Sequence, residues 1–212
     1  METKTDEIYQ NRKEFFNSRA ESWLDMWYKD PDTGQYSRHQ KDFERLWKLV
    51  PLQPGDRVLD VGCGSGILVP MVLERIKLTG ILYELDFAEK MIETNRKLHK
   101  GENLHFLVQD IESASLPSNF FDVVICFSSF PHFDHKEKAL LNMSDALKKE
   151  GALVVAHFSS SQELNQHHGS CAAVMHDLLP AETEMRALFQ KAGLTIDLFL
   201  DEPGFYCIRA KK

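Results

Sequence analysis

The chain has 212 residues, 43% apolar and 27% charged, which fits one globular domain and excludes a disordered chain or a coiled coil. Lysine and arginine number 25 against 32 aspartates and glutamates, a net charge of −7, which argues against a general affinity for nucleic-acid phosphate. The 9 histidines are the unusual entry. The cysteines, Cys63, Cys126, Cys171 and Cys207, form no C-x-x-C pair and suit a reduced, cytoplasmic setting. No apolar signal core precedes residue 15. The longest apolar run, Ile67–Leu73, is far below the ~20 residues that span a bilayer, so no membrane role is expected.

One domain over 1–212 is expected. Residues 1–50 read as a helical cap carrying Phe15, Phe16, Trp23, Trp27 and Tyr28, with a turn at Asp30–Gly34. A core over 57–160 follows, in which short apolar runs alternate with helical stretches. Strands are predicted at 57–61, 80–84, 104–108, 121–127 and 152–158. Helices are predicted up to Lys77, over 87–100 and over 136–149. That alternation predicts a parallel sheet with helices on both faces. Pro70 delays the first turn of the first crossover helix. Ser160 and Glu163 read as a capping box. It opens a long connection, 161–180, that suits a lid or substrate wall. Residues 181–212 read as a helix and two strands, 194–200 and 205–209. Their connection is too short for a crossover, so they pair as an antiparallel hairpin.

The most informative stretch is VLDVGCGSGIL, residues 58–68. Gly62, Gly64 and Gly66 follow a strand and open a helix, so backbone N–H groups face any ligand there. The dinucleotide register G-x-G-x-x-G/A would need Gly or Ala where Ile67 stands. Asp60, two residues before the first glycine, is poor company for a pyrophosphate and suits a ligand bearing an ammonium group. Asp86 ends the second strand, 24 residues after Gly62, where an acid can hold both ribose hydroxyls. Glu84 is its neighbour on the same face, and capping of the next helix is the plainer role for Asp86. Asp110 can accept from an adenine amino group with Ile111 packing on the ring, or serve as a turn residue.

These segments resemble the core of class I S-adenosylmethionine-dependent methyltransferases. VLDVGCGSG is similar to that family's first motif, LDFAEKM to its second, and QDIESASLPSNFFDVVIC to its adenine-binding segment and fourth strand. ALKKEGALVVAHF resembles the approach to strand five, with Lys149-Glu150 in place of the usual Pro-Gly. The resemblance implies an α/β fold, a seven-stranded Rossmann-like sheet of order 3-2-1-4-5-7-6 with an antiparallel C-terminal hairpin. It also implies S-adenosyl-L-methionine as cofactor. Asp60, Cys63 and the Gly62–Gly66 backbone would lie near its methionine part. Asp86 would hold the ribose, Phe87, Asp110 and Ile111 would address the adenine, and main chain at Cys126 and Phe127 would meet the amino-acid moiety. The broad branch resembled is that of ubiquinone and menaquinone biosynthesis methyltransferases.

The acceptor must come from segments outside the sheet. FFNSRAESW resembles a pocket-covering segment of small-molecule members, with Phe16, Arg19 and Trp23 spaced to share a helix face. Ordinary packing of an amphipathic helix is the alternative. Asn165 and His168 are candidate substrate contacts on the helix after Ser160. Six of the 9 histidines fall between His132 and His176, on the segments expected to border the acceptor. Three readings compete: structural residues, a general base at His132 or His157 for a hydroxyl, thiol or activated carbon, or a metal cluster. No metal is assigned. The reading adopted is methyl transfer to a small-molecule acceptor through O, C, N or S, by a monomer or homodimer. The alternatives are a nicotinamide-dependent oxidoreductase with a degenerate glycine loop, and a non-catalytic S-adenosylmethionine-binding protein.

Overall fold

A computed structural model describes residues 4–212. Helices α1 (Lys4–Asn17), α2 (Trp23–Tyr28) and α3 (Gln40–Trp47) come first. Strand β1 (Arg57–Val61) leads through the glycine loop into α4 (Val69–Ile76). Then follow β2 (Ile81–Asp86), α5 (Glu89–Leu98), β3 (Leu104–Val108), β4 (Phe121–Phe127) and a 3-10 turn at Phe130–His132. The chain continues with α6 (Lys136–Ala146), β5 (Leu147–His157), α7 (Ser161–Gly169), α8 (Glu182–Lys191), β6 (Thr195–Glu202) and β7 (Phe205–Lys211).

The sheet order is β3-β2-β1-β4-β5-β7-β6, as the resemblance implied. The β1–β2, β2–β3, β1–β4 and β4–β5 pairs are parallel; β7 runs antiparallel to both β5 and β6. The strand order reverses between β1 and β4. In open α/β sheets that reversal leaves a crevice beyond the strand C-termini.

Alternating residues explain the two layers. Leu59 and Val61 face α6 and α8, against Leu140, Met143, Met185 and Phe189. Val58, Val123 and Ile125 face α3 and α4, against Phe43, Leu46, Val72 and Ile76. A smaller cluster of Phe16, Ala20, Ala88 and Met91 seats the N-terminal helices on α5. Polar ties reinforce it: Lys13 Nζ reaches Glu89 at 2.6 Å and the Lys90 N–H donates to Asn17 Oδ1 at 3.0 Å.

Three local features have clear causes. Pro70 sits in the first turn of α4, where its missing N–H costs nothing, and the helix starts at Val69. Helix α6 stops at Ala146, earlier than the periodicity predicted. The pairing of β5 with β4 then jumps from Leu147 to Ala152, and within the extra residues Glu150 adopts φ +65°, which leaves Lys149 and Glu150 exposed and Gly151 buried. The hairpin turns at Pro203-Gly204, with Gly204 at φ +77°, which no side chain adopts cheaply.

The capping box at Ser160 forms, and it reaches further than its own helix. Glu163 Oε2 accepts from the Ser160 N–H at 2.8 Å and also from the Gly204 N–H at 2.9 Å. Asp201 accepts from the Ser161 N–H at 2.8 Å. The start of α7 is thereby stitched to the hairpin tip.

Candidate active site

The crevice beyond β1 and β4 is lined by the glycine loop, the ends of β2, β3 and β4, and the N-terminal helices. Its floor depends on backbone that side chains would block. Gly62, Gly64 and Gly66 all have positive φ. A Cβ on Gly62 would lie 2.3 Å from the Cβ of Ser129, whose hydroxyl donates to the Val61 carbonyl at 2.7 Å and so ties the end of β4 to β1. A Cβ on Gly66 would strike Asn95 at 2.3 Å. Gly66 does not line the crevice; its bare Cα makes room for α5.

Asp60 lines the crevice at 1% exposure, and neither carboxylate oxygen has a hydrogen-bond partner among the described residues. Burial, then the charges of Glu84 and Asp86, push its pKa well up. An unpaired buried carboxylate is costly unless a cation completes it. Asp86 accepts from the N–H groups of Gly64 and Ala88, both at 2.9 Å. Burial still pushes it up, to about 6. Ala88, not Asp86, is the cap residue of α5. Of the two acids on β2, Asp86 faces the crevice; Glu84 lies beneath it, fully buried, and accepts from Asn95 Nδ2 at 2.7 Å.

Cys63, Gly64, Phe87, Asp110, Ile111 and Phe127 also line the crevice, as do Phe16, Trp23 and His132. Phe16 meets Trp23 and His132 edge-on at 5.5 and 5.1 Å. Besides Gly66, four candidates lie elsewhere. Arg19, in the turn just past α1, folds back on that helix and donates to the Phe15 carbonyl at 3.0 Å. Asn165 and His168 bond to the backbone of Leu179 and Asp177. His157 is buried beside Tyr206, outside the crevice lining, with its pKa pushed down to about 3 by burial and the neighbouring His132 and His168.

The structure adds residues that sequence reasoning missed. Tyr9 and Arg12 line the crevice from α1, two turns and one turn before Phe16, a spacing that could have marked them. Arg12, 3% exposed, spans two carboxylates: it donates to Asp177 at 2.9 and 2.7 Å and to Asp134 at 3.1 and 3.0 Å. Asp177 also meets His132 Nδ1 at 2.7 Å. Among the described residues no cluster of His, Cys, Asp and Glu has the arrangement of a metal site.

The profile of the methyltransferase-domain family matches residues 59–155, from the first strand through the fifth. The core is a class I S-adenosylmethionine-dependent methyltransferase domain. A ubiquinone/menaquinone biosynthesis C-methyltransferase from Ectopseudomonas mendocina is 36% identical over 124 residues, covering 54% of this chain and 48% of that protein. The chain thus spans about half the length of the curated relatives it matches. Among solved structures, an S-adenosylmethionine-dependent methyltransferase from Aquifex aeolicus superposes with a TM-score of 0.68 at 22% identity, covering 92% of this chain and 96% of that one. The methyltransferase crystallised with the Haloferax volcanii Trm112 activator does so at 0.73 and 20% identity, with the same coverage. At these identities they show a shared fold.

The methyltransferase cofactor fits the residues present. The unpaired Asp60 suits its ammonium, the open glycine backbone admits close approach, and Phe16, Trp23 and Tyr28 offer aromatic faces to a sulfonium cation.

Proposed function

We propose that the chain transfers a methyl group from S-adenosylmethionine to a small, uncharged acceptor bearing an acidic hydroxyl, thiol or carbon. The observation that carries this reading is Asp60: a buried carboxylate with both oxygens unpaired, aimed into a glycine-floored crevice. Asp60 would hold the cofactor's ammonium, Asp86 its ribose, and Phe87, Asp110 and Ile111 its adenine. When bound, the cofactor supplies a sulfonium methyl already activated for in-line displacement. The protein's own work is then alignment, exclusion of water and removal of a proton.

His132 lines the crevice, and in this reading it is the general base. Arg12 is the single Lys or Arg on the crevice wall among the described residues, and two aspartates neutralise it. A phosphorylated or carboxylate acceptor therefore finds no free cation, which supports an uncharged one. The same wall and the acidic surface argue against nucleic acid. No described helix is long and apolar enough to cross a membrane, and four unpaired cysteines suit the cytoplasm.

Two measurements test the reading. Calorimetric titration should show S-adenosylmethionine binding and no NAD(P)H binding. A labelled methyl donor offered with a panel of phenols, thiols and enolisable carbonyl compounds should yield a methylated product. Nicotinamide-cofactor binding without S-adenosylmethionine binding would reverse the conclusion. Cofactor binding with no transfer to any acceptor would point to a binding protein.

A further inference from the structure

One edge of the His132 ring faces Asp177. Nδ1 lies 2.7 Å from Asp177 Oδ2. A carboxylate only accepts, so Nδ1 carries the proton and Nε2 holds the lone pair. Nε2 has no hydrogen-bond partner among the described residues, and the ring lines the crevice.

Much of the fold serves to put Asp177 there. The residue is 2% exposed, in the irregular stretch between α7 and α8. Helix α7 holds that stretch from below: His168 Nδ1 donates to the Asp177 carbonyl, and Asn165 bonds both backbone groups of Leu179. Helix α1 holds it from above, where Arg12 Nε and Nη2 engage both oxygens of Asp177. Burial alone would raise the Asp177 pKa; the bonds from His132 and Arg12 outweigh it and hold the group below the usual carboxylate range. The His168 ring then stacks on His132 at 5.1 Å, and Phe16 closes the other side. The imidazole is fixed in both direction and protonation pattern, the condition a proton acceptor needs.

We propose that Asp177 is a positioning residue for His132, locking the imidazole as its Nδ1–H tautomer so that Nε2 receives the acceptor's proton, with Arg12 holding Asp177 in register. This role rests on His132 being the base of the methyl transfer. As the acceptor's X–H bond breaks, Nε2 takes the proton and the freed electron pair forms the bond to the methyl carbon. The pair of the broken C–S bond stays on sulfur, leaving a neutral thioether. Among the directly bonded groups, one guanidinium and two carboxylates leave one negative charge, which the imidazolium formed in the step offsets. Asn165 and His168 acquire a purpose without touching substrate: they build the shelf on which Asp177 sits.

The test uses the full chain labelled with 15N-histidine. Two-bond 1H–15N correlation spectra at mildly alkaline pH report the His132 tautomer, with His132→Ala assigning the signal. The wild type should show Nδ1–H. Asp177→Asn, whose amide can donate to Nδ1, should move the proton to Nε2. The same variant should lose about 100- to 10,000-fold in kcat toward the phenol and thiol panel, with the Kd for S-adenosylmethionine unchanged. Asp177→Glu, which restores an accepting carboxylate, should recover the tautomer and part of the rate. An Nε2–H wild type, or a tautomer unmoved by Asp177→Asn, overturns the role of Asp177 and leaves the base standing. Wild-type transfer by His132→Ala overturns the base and the positioning role together.

Discussion

Asn165 grips Leu179 by both backbone groups, its Nδ2 donating to the carbonyl at 3.0 Å and its Oδ1 accepting from the N–H at 2.8 Å. A side chain that replaces two backbone bonds in an irregular stretch is a local substitute for secondary structure. Asn165→Ala should therefore cost about 1–3 kcal/mol in urea unfolding. Hydrogen exchange at the Leu179 amide should accelerate while β1 and β4 amides stay protected. Unchanged protection at Leu179 would show that the stretch holds itself.

Removing the unpaired charge of Asp60 should separate binding from stability. Asp60→Asn should weaken S-adenosylmethionine by about 10- to 100-fold, the loss of a charge-assisted bond to an ammonium. The ligand-free protein should melt at the same or a higher temperature, because an uncompensated buried carboxylate is gone. Titration calorimetry with thermal unfolding of the ligand-free protein reads both. A strongly destabilised variant would mean that Asp60 has a partner within the fold.

Two glycines with similar backbone angles should behave differently. Gly34→Ala has open space and bears only the left-handed backbone cost, about 1–2 kcal/mol. Gly62→Ala adds the collision with Ser129, raising the loss to about 3 kcal/mol or more, and it breaks the loop that approaches the cofactor. Thermal unfolding and cofactor titration of the pair would check this; equal losses would remove Ser129 from the account.

Stability of the ligand-free protein should fall as pH rises from 6.5 to 8. Burial pushes Glu84 from its ordinary 4.5 up to about 8, with Asn95 countering only in part. An acid whose folded pKa is raised binds its proton more readily folded than unfolded. Its contribution to stability is therefore present at low pH and is lost as pH climbs through the folded value. His157 has the opposite sign: pushed down to about 3, it costs stability only as pH falls below its unfolded 6.5. The window above 6.5 thus isolates the raised carboxylates. The drop should be about 2 kcal/mol and should flatten in Glu84→Gln, followed by denaturant unfolding at each pH.

His157→Phe should retain methyl transfer. The ring lies outside the crevice, its Nε2 is buried without a partner among the described residues, and its neighbour is the apolar face of Tyr206. Initial rates with any accepted phenol or thiol would read this, and a loss comparable to that of His132→Ala would return His157 to the list of bases.

The sheet order and the glycine loop were legible because backbone geometry leaves few residue choices there. Three alternating glycines after an apolar strand, and an acid ending the next strand, are local patterns. Asp60, Asp86 and Phe87 could be placed on the crevice by counting along strands. Arg12 and Asp177 could not, since 165 residues separate them and only the closed fold brings them together. Asn165 and His168 were visible as neighbours on one helix face, but spacing says nothing about which way the face looks. It looks inward, to the chain's own backbone. The strand-five turn misled for a different reason: helical periodicity continues through Lys149, while Glu150 accepts a left-handed φ so that β5 can pair.

Glu163 joins the cap of α7 to the hairpin tip by accepting from both Ser160 and Gly204. The shelf beneath Asp177 is therefore tied through α7 to the turn between β6 and β7, four strands along the sheet from β1 and its glycine loop. Substitutions at positions 201–204 should therefore be felt at Asp177 and His132, where we place the acceptor, before they are felt at the glycine loop. A library confined to those four positions and Glu163, assayed with the phenol and thiol panel and titrated with S-adenosylmethionine, would read that coupling: acceptor preference should shift with cofactor affinity unchanged.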